Sequence, residues 1–202
     1  MLRAKIGILL ICMSVMVSAT DYDVVITNGR VIDPETHLDA IKTIGIRRGT
    51  IVTISDQALV GDRTIDASGL VVAPGFIDVH SHTPTLLGQH ANLLDGITTQ
   101  LDLEAGSFPI SFYGEHFSGG AQLNYGSSVG HFAVRMKVIE GIDMPYIFAG
   151  KKALRTDGPT WTQVATELQI EQMRVLLHEG LDEGGLGIGV LLDYMTEAVS
   201  GD

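Results

Sequence analysis

Two histidines spaced two residues apart are the side chains of this sequence best suited to chemistry. His80 and His82 end a short apolar stretch that begins after Pro74-Gly75. Because side chains alternate across a strand, Asp78, His80 and His82 share one face. Two imidazoles at a strand end can bind one divalent metal ion, and Asp78 could orient one of the rings. The alternatives are a pair of buried, hydrogen-bonded structural histidines and a salt-bridged structural aspartate.

The first residues have the layout of a secretory signal peptide. Arg3 and Lys5 form a short basic region, and residues 6–17 are apolar. Val17-Ser18-Ala19 has the small residues of a signal-peptidase cleavage site. The pattern predicts a signal peptide over residues 1–19, cleaved after Ala19, and a periplasmic or secreted protein. A membrane anchor is the alternative, but the apolar run is short for a span.

Cleavage would change both the charge and the ligand chemistry of the chain. The formal net charge is −11, and removing the two cations Arg3 and Lys5 makes it −13. Such an acidic surface argues against nucleic-acid or anionic-membrane partners. Cys12 is the single cysteine, so the mature chain would have neither disulfides nor thiolate metal ligands.

Residues 20–72 predict a small β-sandwich-like module. Short β-rich segments alternate with turn residues, and Asn28-Gly29 is a hairpin signal. These strands are too few to close a sandwich without a further contribution.

Residues 73–202 predict an α/β domain, because strand patterns alternate with helix patterns. The predicted strands are residues 76–80, 97–103, 129–134 and 186–192, and the predicted helices are residues 85–95 and 162–183, with an irregular loop over residues 107–122. About four βα units are present, whereas a closed eight-stranded barrel takes about 250 residues. The prediction is therefore the first half of a TIM-like (β/α)8 barrel, incomplete in this chain.

Several motifs together resemble the amidohydrolase superfamily and, within it, the N-acyl-D-amino-acid deacylases (D-aminoacylases). They are residues 66–70, the stretch from Pro74 through His82, Asp95-Gly96-Ile97-Thr98-Thr99, the Gly-His-x-x-x-Arg segment at residues 130–135, and residues 187–194. The resemblance covers nearly the whole mature chain, and its most specific motifs lie in the N-terminal half.

One departure from this family concerns a metal ligand. Deacylases of this type place a bridging cysteine after the second barrel strand, where this sequence has Ala105, which cannot coordinate a metal. Thr98, Gln100, Asp102 and Glu104 share one strand face, which we expect to look into the barrel mouth. Glu104 lies at the C-terminal end of that strand, where barrel enzymes assemble their sites. We therefore predict Glu104 as the substitute ligand, with Asp102 deeper as second choice or as a support for the ligands, and a solvated loop carboxylate as the alternative.

The resemblance implies a site and a reaction. It implies one or two Zn2+ ions held by His80, His82 and Glu104, and hydrolysis of an N-acyl amino acid at its amide bond. Tyr194 matches a tyrosine near the substrate carboxylate, and His131 could line the pocket; a packed aromatic and a core histidine are the respective alternatives. In the family, later strands supply two more histidines and a general-base aspartate, so we expect this chain alone to be inactive.

Three other functions remain open at this point. A cyclic-amide hydrolase and a prolidase-like dipeptidase share the early motifs, and a truncated, non-catalytic protein is the rival from another class. A half barrel exposes two sheet edges, so we expect it to associate with itself.

Overall fold

The computed structural model describes residues 21–148 and 158–191. The chain divides into two compact units, residues 1–74 and 75–202; our predicted boundary is between residues 72 and 73. The predicted signal peptide and Tyr194 lie outside the described residues. Within the described ranges, none of the helices has the length and apolar character needed to cross a bilayer.

The first unit is one mixed β-sheet in its described part. Its strands are β1 (Tyr22–Asp33), β2 (Leu38–Arg47), β3 (Thr50–Ser55), β4 (Gly61–Asp66) and β5 (Val71–Val72). The strand order is β3-β2-β1-β4, and β5 also pairs with β1. β2 runs antiparallel to β1 and β3, whereas β4 and β5 run parallel to β1.

The predicted hairpin at Asn28-Gly29 is wrong. β1 runs through this dipeptide as one strand, with a register shift against β2 between Ile26 and Gly29. Asn28 has φ 62°, a conformation that asparagine tolerates and that suits a β-bulge as well as a turn. The Asn-Gly dipeptide therefore correctly indicates a residue with positive φ, but the chain does not reverse its direction there.

The second unit alternates strands and helices around a parallel sheet. Its elements are β6 (Phe76–Asp78), α1 (Leu86–Leu94), β7 (Ile97–Ser107), α2 (Ile110–Glu115), β8 (Asn124–Gly130), α3 (His131–Glu140), α4 (Pro159–Thr162), α5 (Glu167–Asp182) and β9 (Ile188–Gly189). The four strands lie in the order β6-β7-β8-β9, and all neighbours are parallel. This is the predicted α/β fold, a partial TIM-like barrel, and the prediction is confirmed.

Two predicted element boundaries are wrong. The predicted third strand, residues 129–134, is the end of β8 followed by the start of α3, which begins at His131. A short apolar run fits a buried strand and a buried helix equally, so periodicity could not separate them. The long helix begins later than predicted, at Glu167, because Thr166 and Gln169 form a capping box there.

Within the described part of the sheet, apolar side chains are exposed at both edges. β6 and β9 are the outer strands of that part. Phe76 and Ile77 on β6 are 65% and 63% exposed, and Ile188 on β9 is 49% exposed. Parallel sheets are normally covered on both faces and along their edges.

The end of β7 bends sharply around one of its own side chains. Gly106 has φ 67°, and the backbone N–H groups of Ala105 and Gly106 both donate to the Asp102 carboxylate, at 3.0 and 3.2 Å. A Cβ atom on Gly106 would lie 2.6 Å from the Gly130 nitrogen and 2.7 Å from the Ser128 carbonyl oxygen. Only glycine fits here, because both the left-handed backbone and the close approach exclude a side chain.

Gly106→Ala should lower the free energy of unfolding by roughly 2–4 kcal/mol, the sum of backbone strain and overpacking against main-chain atoms. Urea denaturation measures this change. The matched control is Gly119→Ala, since Gly119 is exposed and a Cβ there meets nothing within 4 Å. Equal stability of the two variants would contradict the role given to Gly106.

Candidate metal centre

The two histidines of the motif lie on an extension of β6 that remains attached to β7. The Leu103 N–H donates to the Val79 carbonyl at 3.3 Å, and the Ser81 N–H donates to the Leu101 carbonyl at 3.0 Å. These backbone bonds hold the chain on either side of His80 against β7. The histidine side chains therefore reach the C-terminal end of β7, the end at which barrel enzymes place their sites.

Three side-chain atoms form a tight triangle at this end of the sheet. The Nε2 atoms of His80 and His82 are 3.0 Å apart. Oε2 of Glu104 lies 3.1 Å from Nε2 of His80 and 3.0 Å from Nε2 of His82. Ligand atoms bound tetrahedrally to one zinc ion at 2.0–2.1 Å are roughly 3.3 Å apart, so the triangle has nearly the size that a zinc ion requires.

The triangle contains the three residues predicted as metal ligands. Among the described residues, His80, His82 and Glu104 form a group whose potential ligand atoms lie within 4.8 Å of one another. Ala105, the position that matches the family's cysteine, is 2% exposed and belongs to an apolar cluster. Ala105 has no ligand atom, and the carboxylate of the preceding residue, Glu104, lies beside the two histidines instead.

Asp102 orients His82 from behind. Its Oδ2 lies 2.9 Å from Nδ1 of His82 and accepts a hydrogen bond from the Tyr146 hydroxyl at 2.7 Å. Its Oδ1 accepts the backbone N–H groups of Ala105 and Gly106. Asp102 has no exposed surface, so the four donors around it stabilise a buried carboxylate.

Asp78 has a different position from the one predicted for it. Its Oδ1 accepts the backbone N–H of His80 at 3.0 Å. Asp78 therefore fixes the main chain before the metal motif, and the carboxylate that contacts an imidazole is Asp102. Both aspartates support the triangle without being part of it.

The arrangement of ligand atoms in the triangle suits a bound cation. Because the Asp102 carboxylate only accepts, Nδ1 of His82 carries the hydrogen of that bond. Nε2, the other ring nitrogen, faces Nε2 of His80 and a carboxylate oxygen of Glu104, each at 3.0 Å. A divalent cation between His80, His82 and Glu104 would satisfy all three atoms, so the donor set fits a metal ion.

The polar face of β7 is not open in the way we predicted. Gln100 and Asp102 have no exposed surface. The Gln100 side chain accepts from Asn92 on α1 at 3.0 Å and donates to the Thr83 carbonyl at 2.9 Å. Contacts with α1 and with the loop that carries Tyr146 thus bury the middle of this face, whereas Thr98 is exposed at one end and Glu104 is partly exposed at the other.

Two aromatic residues beside the site were not found from the sequence. Tyr146 is 1% exposed and contacts Asp102. The ring of Phe148 lies 4.3 Å from the His82 ring and is 49% exposed, so it borders the accessible side of the triangle. Residues 141–148 show no helical or strand periodicity, and a Tyr-x-Phe pair alone carries no functional signal.

Burial affects the ionisation of other residues near the site. It raises the pKa of Tyr113 to about 12, and it raises the pKa of Tyr146, which the neighbouring Asp102 carboxylate raises further. Burial, together with Arg135, lowers the pKa of His131. His131 is the first residue of α3 and is not among the three clustered ligand residues.

Comparison with known proteins agrees with this architecture. The sequence profile of the amidohydrolase family matches residues 63–116. A D-aminoacylase from Alcaligenes xylosoxydans xylosoxydans is 26% identical over 88% of this chain and 39% of its own length. A dihydroorotase from Streptococcus pneumoniae serotype 4 is 47% identical, over 28% of this chain and 14% of its own length.

Solved structures show the same relationship. A D-aminoacylase with a binuclear metal centre superposes with a TM-score of 0.65 at 25% identity, covering 88% of this chain and 40% of that one. An N-acyl-D-glutamate deacylase from Bordetella bronchiseptica, complexed with zinc and a phosphonate inhibitor, has a TM-score of 0.62 at 24% identity, covering 91% of this chain and 41% of that one. The second likeness supports the fold.

These findings confirm the resemblance of the chain to the amidohydrolase superfamily. Within that superfamily it is D-aminoacylase-like, as the sequence motifs predicted. The chain spans about two fifths of the length of the D-aminoacylases it matches.

Asp102→Ala should lower the free energy of unfolding of the metal-free protein by about 3–5 kcal/mol, because four buried donors lose their acceptor. Asp102→Asn retains the shape and one carbonyl oxygen, so a loss of about 1–2 kcal/mol is expected. Urea denaturation of both variants measures the difference. An Ala variant as stable as the Asn variant would show that the four hydrogen bonds do not hold this carboxylate.

Proposed function

We propose that this chain carries the metal-binding part of a hydrolase that cleaves a non-peptide C–N amide bond, most like the deacylation of N-acyl-D-amino acids. The observation that carries the proposal is the triangle of His80, His82 and Glu104 at the C-terminal end of a parallel sheet. The D-aminoacylase likeness over 88% of the chain supports the reaction class.

The metal we propose is zinc, as one or two ions, because two imidazoles and a carboxylate are typical zinc ligands. His80 and His82 would hold it, with Glu104 as third ligand or as a bridge between two ions; the similar D-aminoacylase has a binuclear centre. When bound, zinc lowers the pKa of a water molecule to about 7 and polarises a scissile carbonyl. Asp102 keeps the His82 ring in the tautomer that binds.

The substrate would approach from the side where the ligand residues are exposed. The side chain of His80 is 60% exposed, whereas that of His82 is 26% exposed. Phe148 borders this side and would contact an apolar part of the substrate. We propose Tyr194 and His131 as further substrate contacts, on the family resemblance of their segments.

The 202 residues would not turn over substrate alone in this proposal. The described residues bring together three candidate ligands. Two further histidines and a general-base aspartate, which the family takes from later strands, would have to come from elsewhere. A truncated, non-catalytic product that binds metal is therefore compatible with the same site.

A second candidate is hydrolysis of a cyclic amide. The dihydroorotase match is shorter than the D-aminoacylase match but more identical, at 47% over 58 residues. The short region of high identity supports a shared metal motif. It is weaker support for a shared substrate, because the match covers only 28% of this chain.

Two further proposals concern where the protein works and what it contacts. The basic and apolar pattern of residues 1–19 supports export to the periplasm or secretion, without membrane attachment after cleavage. The net charge of −11 argues against nucleic-acid partners. The uncovered edges at β6 and β9 support self-association of the chain.

The purified protein should bind zinc, and His80→Ala combined with His82→Ala should abolish this binding because two of the three ligands are lost. Glu104→Gln should weaken zinc affinity by at least about tenfold, since an amide is a poorer ligand than a carboxylate. Elemental analysis gives the stoichiometry, and competition with a chelator gives the affinity.

The control for the carboxylate is Glu179→Gln, which changes an exposed glutamate on α5 and should leave the affinity unchanged. Zinc content that survives loss of both histidines would eliminate the assigned site. An unaltered affinity in Glu104→Gln would remove Glu104 from the ligand set alone.

The zinc-loaded 202-residue protein should release no amino acid from N-acetyl-D-amino acids, as measured by chromatography of the product. A longer product of the same reading frame, if the coding DNA past Asp202 supplies two histidines and an aspartate, should hydrolyse N-acetyl-D-amino acids faster than their L-isomers. Zinc-dependent turnover by the short chain would overturn the proposed inactivity. Preference of the longer product for dihydroorotate would favour the second candidate.

A further inference from the structure

A buried tyrosine lies behind the metal triangle, two side chains away from it. Tyr146 is 1% exposed and packs in the apolar cluster that includes Ala105. Its hydroxyl donates to Oδ2 of Asp102 at 2.7 Å, and the same oxygen lies 2.9 Å from Nδ1 of His82. Tyr146, Asp102 and His82 thus form a continuous hydrogen-bonded chain that ends at the triangle.

Tyr146 completes the set of donors that the carboxylate needs. Oδ1 of Asp102 is already used by two backbone N–H groups. Oδ2 has His82 on one side and Tyr146 on the other. A buried carboxylate depends on such donors to keep its orientation, because no water replaces a missing one.

The state of Asp102 determines which nitrogen of His82 is free. While Oδ2 of Asp102 accepts from His82, the hydrogen of the ring stays on Nδ1 and Nε2 points towards His80 and Glu104. If the carboxylate rotates away, the Nδ1 hydrogen loses its partner. The tautomer with hydrogen on Nε2 then becomes available, and that tautomer cannot bind a metal through Nε2.

We propose that Tyr146 is a positioning residue for the metal centre, which acts through Asp102 to keep the Nε2 lone pair of His82 directed at the ligand triangle. This inference rests on the proposed function, because the purpose of the lone pair is to bind the metal. Tyr146 is buried and donates its hydrogen bond to Asp102, so its effect is on the geometry and affinity of the site.

The chain contains a matched control for this tyrosine. Tyr113 is also 1% exposed, belongs to the same apolar cluster and packs edge-on against Tyr146, with ring centroids 5.7 Å apart. Its hydroxyl is buried, and among the described residues no hydrogen-bond partner is found for it. Tyr146→Phe and Tyr113→Phe therefore remove the same atom from the same cluster, and only the first removes a hydrogen bond to Asp102.

The experiment compares the wild-type protein, Tyr146→Phe, Tyr113→Phe and His82→Ala by two measurements. Chelator competition gives the zinc affinity, and the 15N chemical shifts of the His82 ring in the zinc-free protein give its tautomer. Tyr146→Phe should lower zinc affinity by at least about tenfold and shift His82 towards the Nε2–H tautomer. Tyr113→Phe should leave both quantities unchanged.

The outcomes separate this inference from the proposed function. If the wild-type protein binds no zinc, the proposed function fails, while the His82 tautomer still tests the hydrogen-bonded chain. If Tyr146→Phe retains wild-type affinity and tautomer while His82→Ala loses zinc, the inference is overturned and the metal site stands. If Tyr146→Phe does not fold, the wild-type tautomer decides: an Nε2–H ring in the zinc-free protein would overturn the inference.

Discussion

The structure of the candidate site depends on one buried carboxylate. Asp102 receives donors from its own strand end, from the loop at Tyr146 and from His82. An ionised group without exposure is stable only when such donors surround it. The sharp bend of β7 at Gly106 and the approach of the histidine strand both serve that requirement. The geometry of the metal triangle follows from it.

The same bend determines where Ala105, at the position for which the family resemblance predicts a cysteine, directs its side chain. Ala105 turns into the apolar cluster, and its backbone N–H is used by Asp102. Glu104, one residue earlier, keeps its side chain at the partly exposed strand end, where it meets both histidines.

Local geometry was predictable from the sequence, and long-range contacts were not. The alternation of side chains along a strand was enough to group His80 with His82 and Asp102 with Glu104. Glu104 was preferred to Asp102 because it lies nearer the C-terminal end of the strand. The α/β fold followed from the order of the strand and helix patterns. Both predictions use only neighbouring residues.

The errors arose where a residue's role depends on a distant partner. Tyr146 contacts Asp102 across 44 positions of sequence, and no pattern marks such a pair. The start of α3 at His131 and the bulge at Asn28 were missed because one local signal fits two conformations. Which conformation forms is decided by the neighbouring strands, β2 for the bulge and the sheet of the second unit for the helix.

The triangle and most of its support come from one βαβ unit, β6-α1-β7. His80 and Glu104 are close in sequence, with α1 and most of β7 between them. The entropic cost of bringing the two side chains together is therefore low. A cation held by these ligands would directly cross-link the adjacent strands β6 and β7. The energy of ion binding would then be folding energy for β6, α1 and β7. Metal binding would then be coupled to the formation of this single supersecondary unit and would not require a closed barrel.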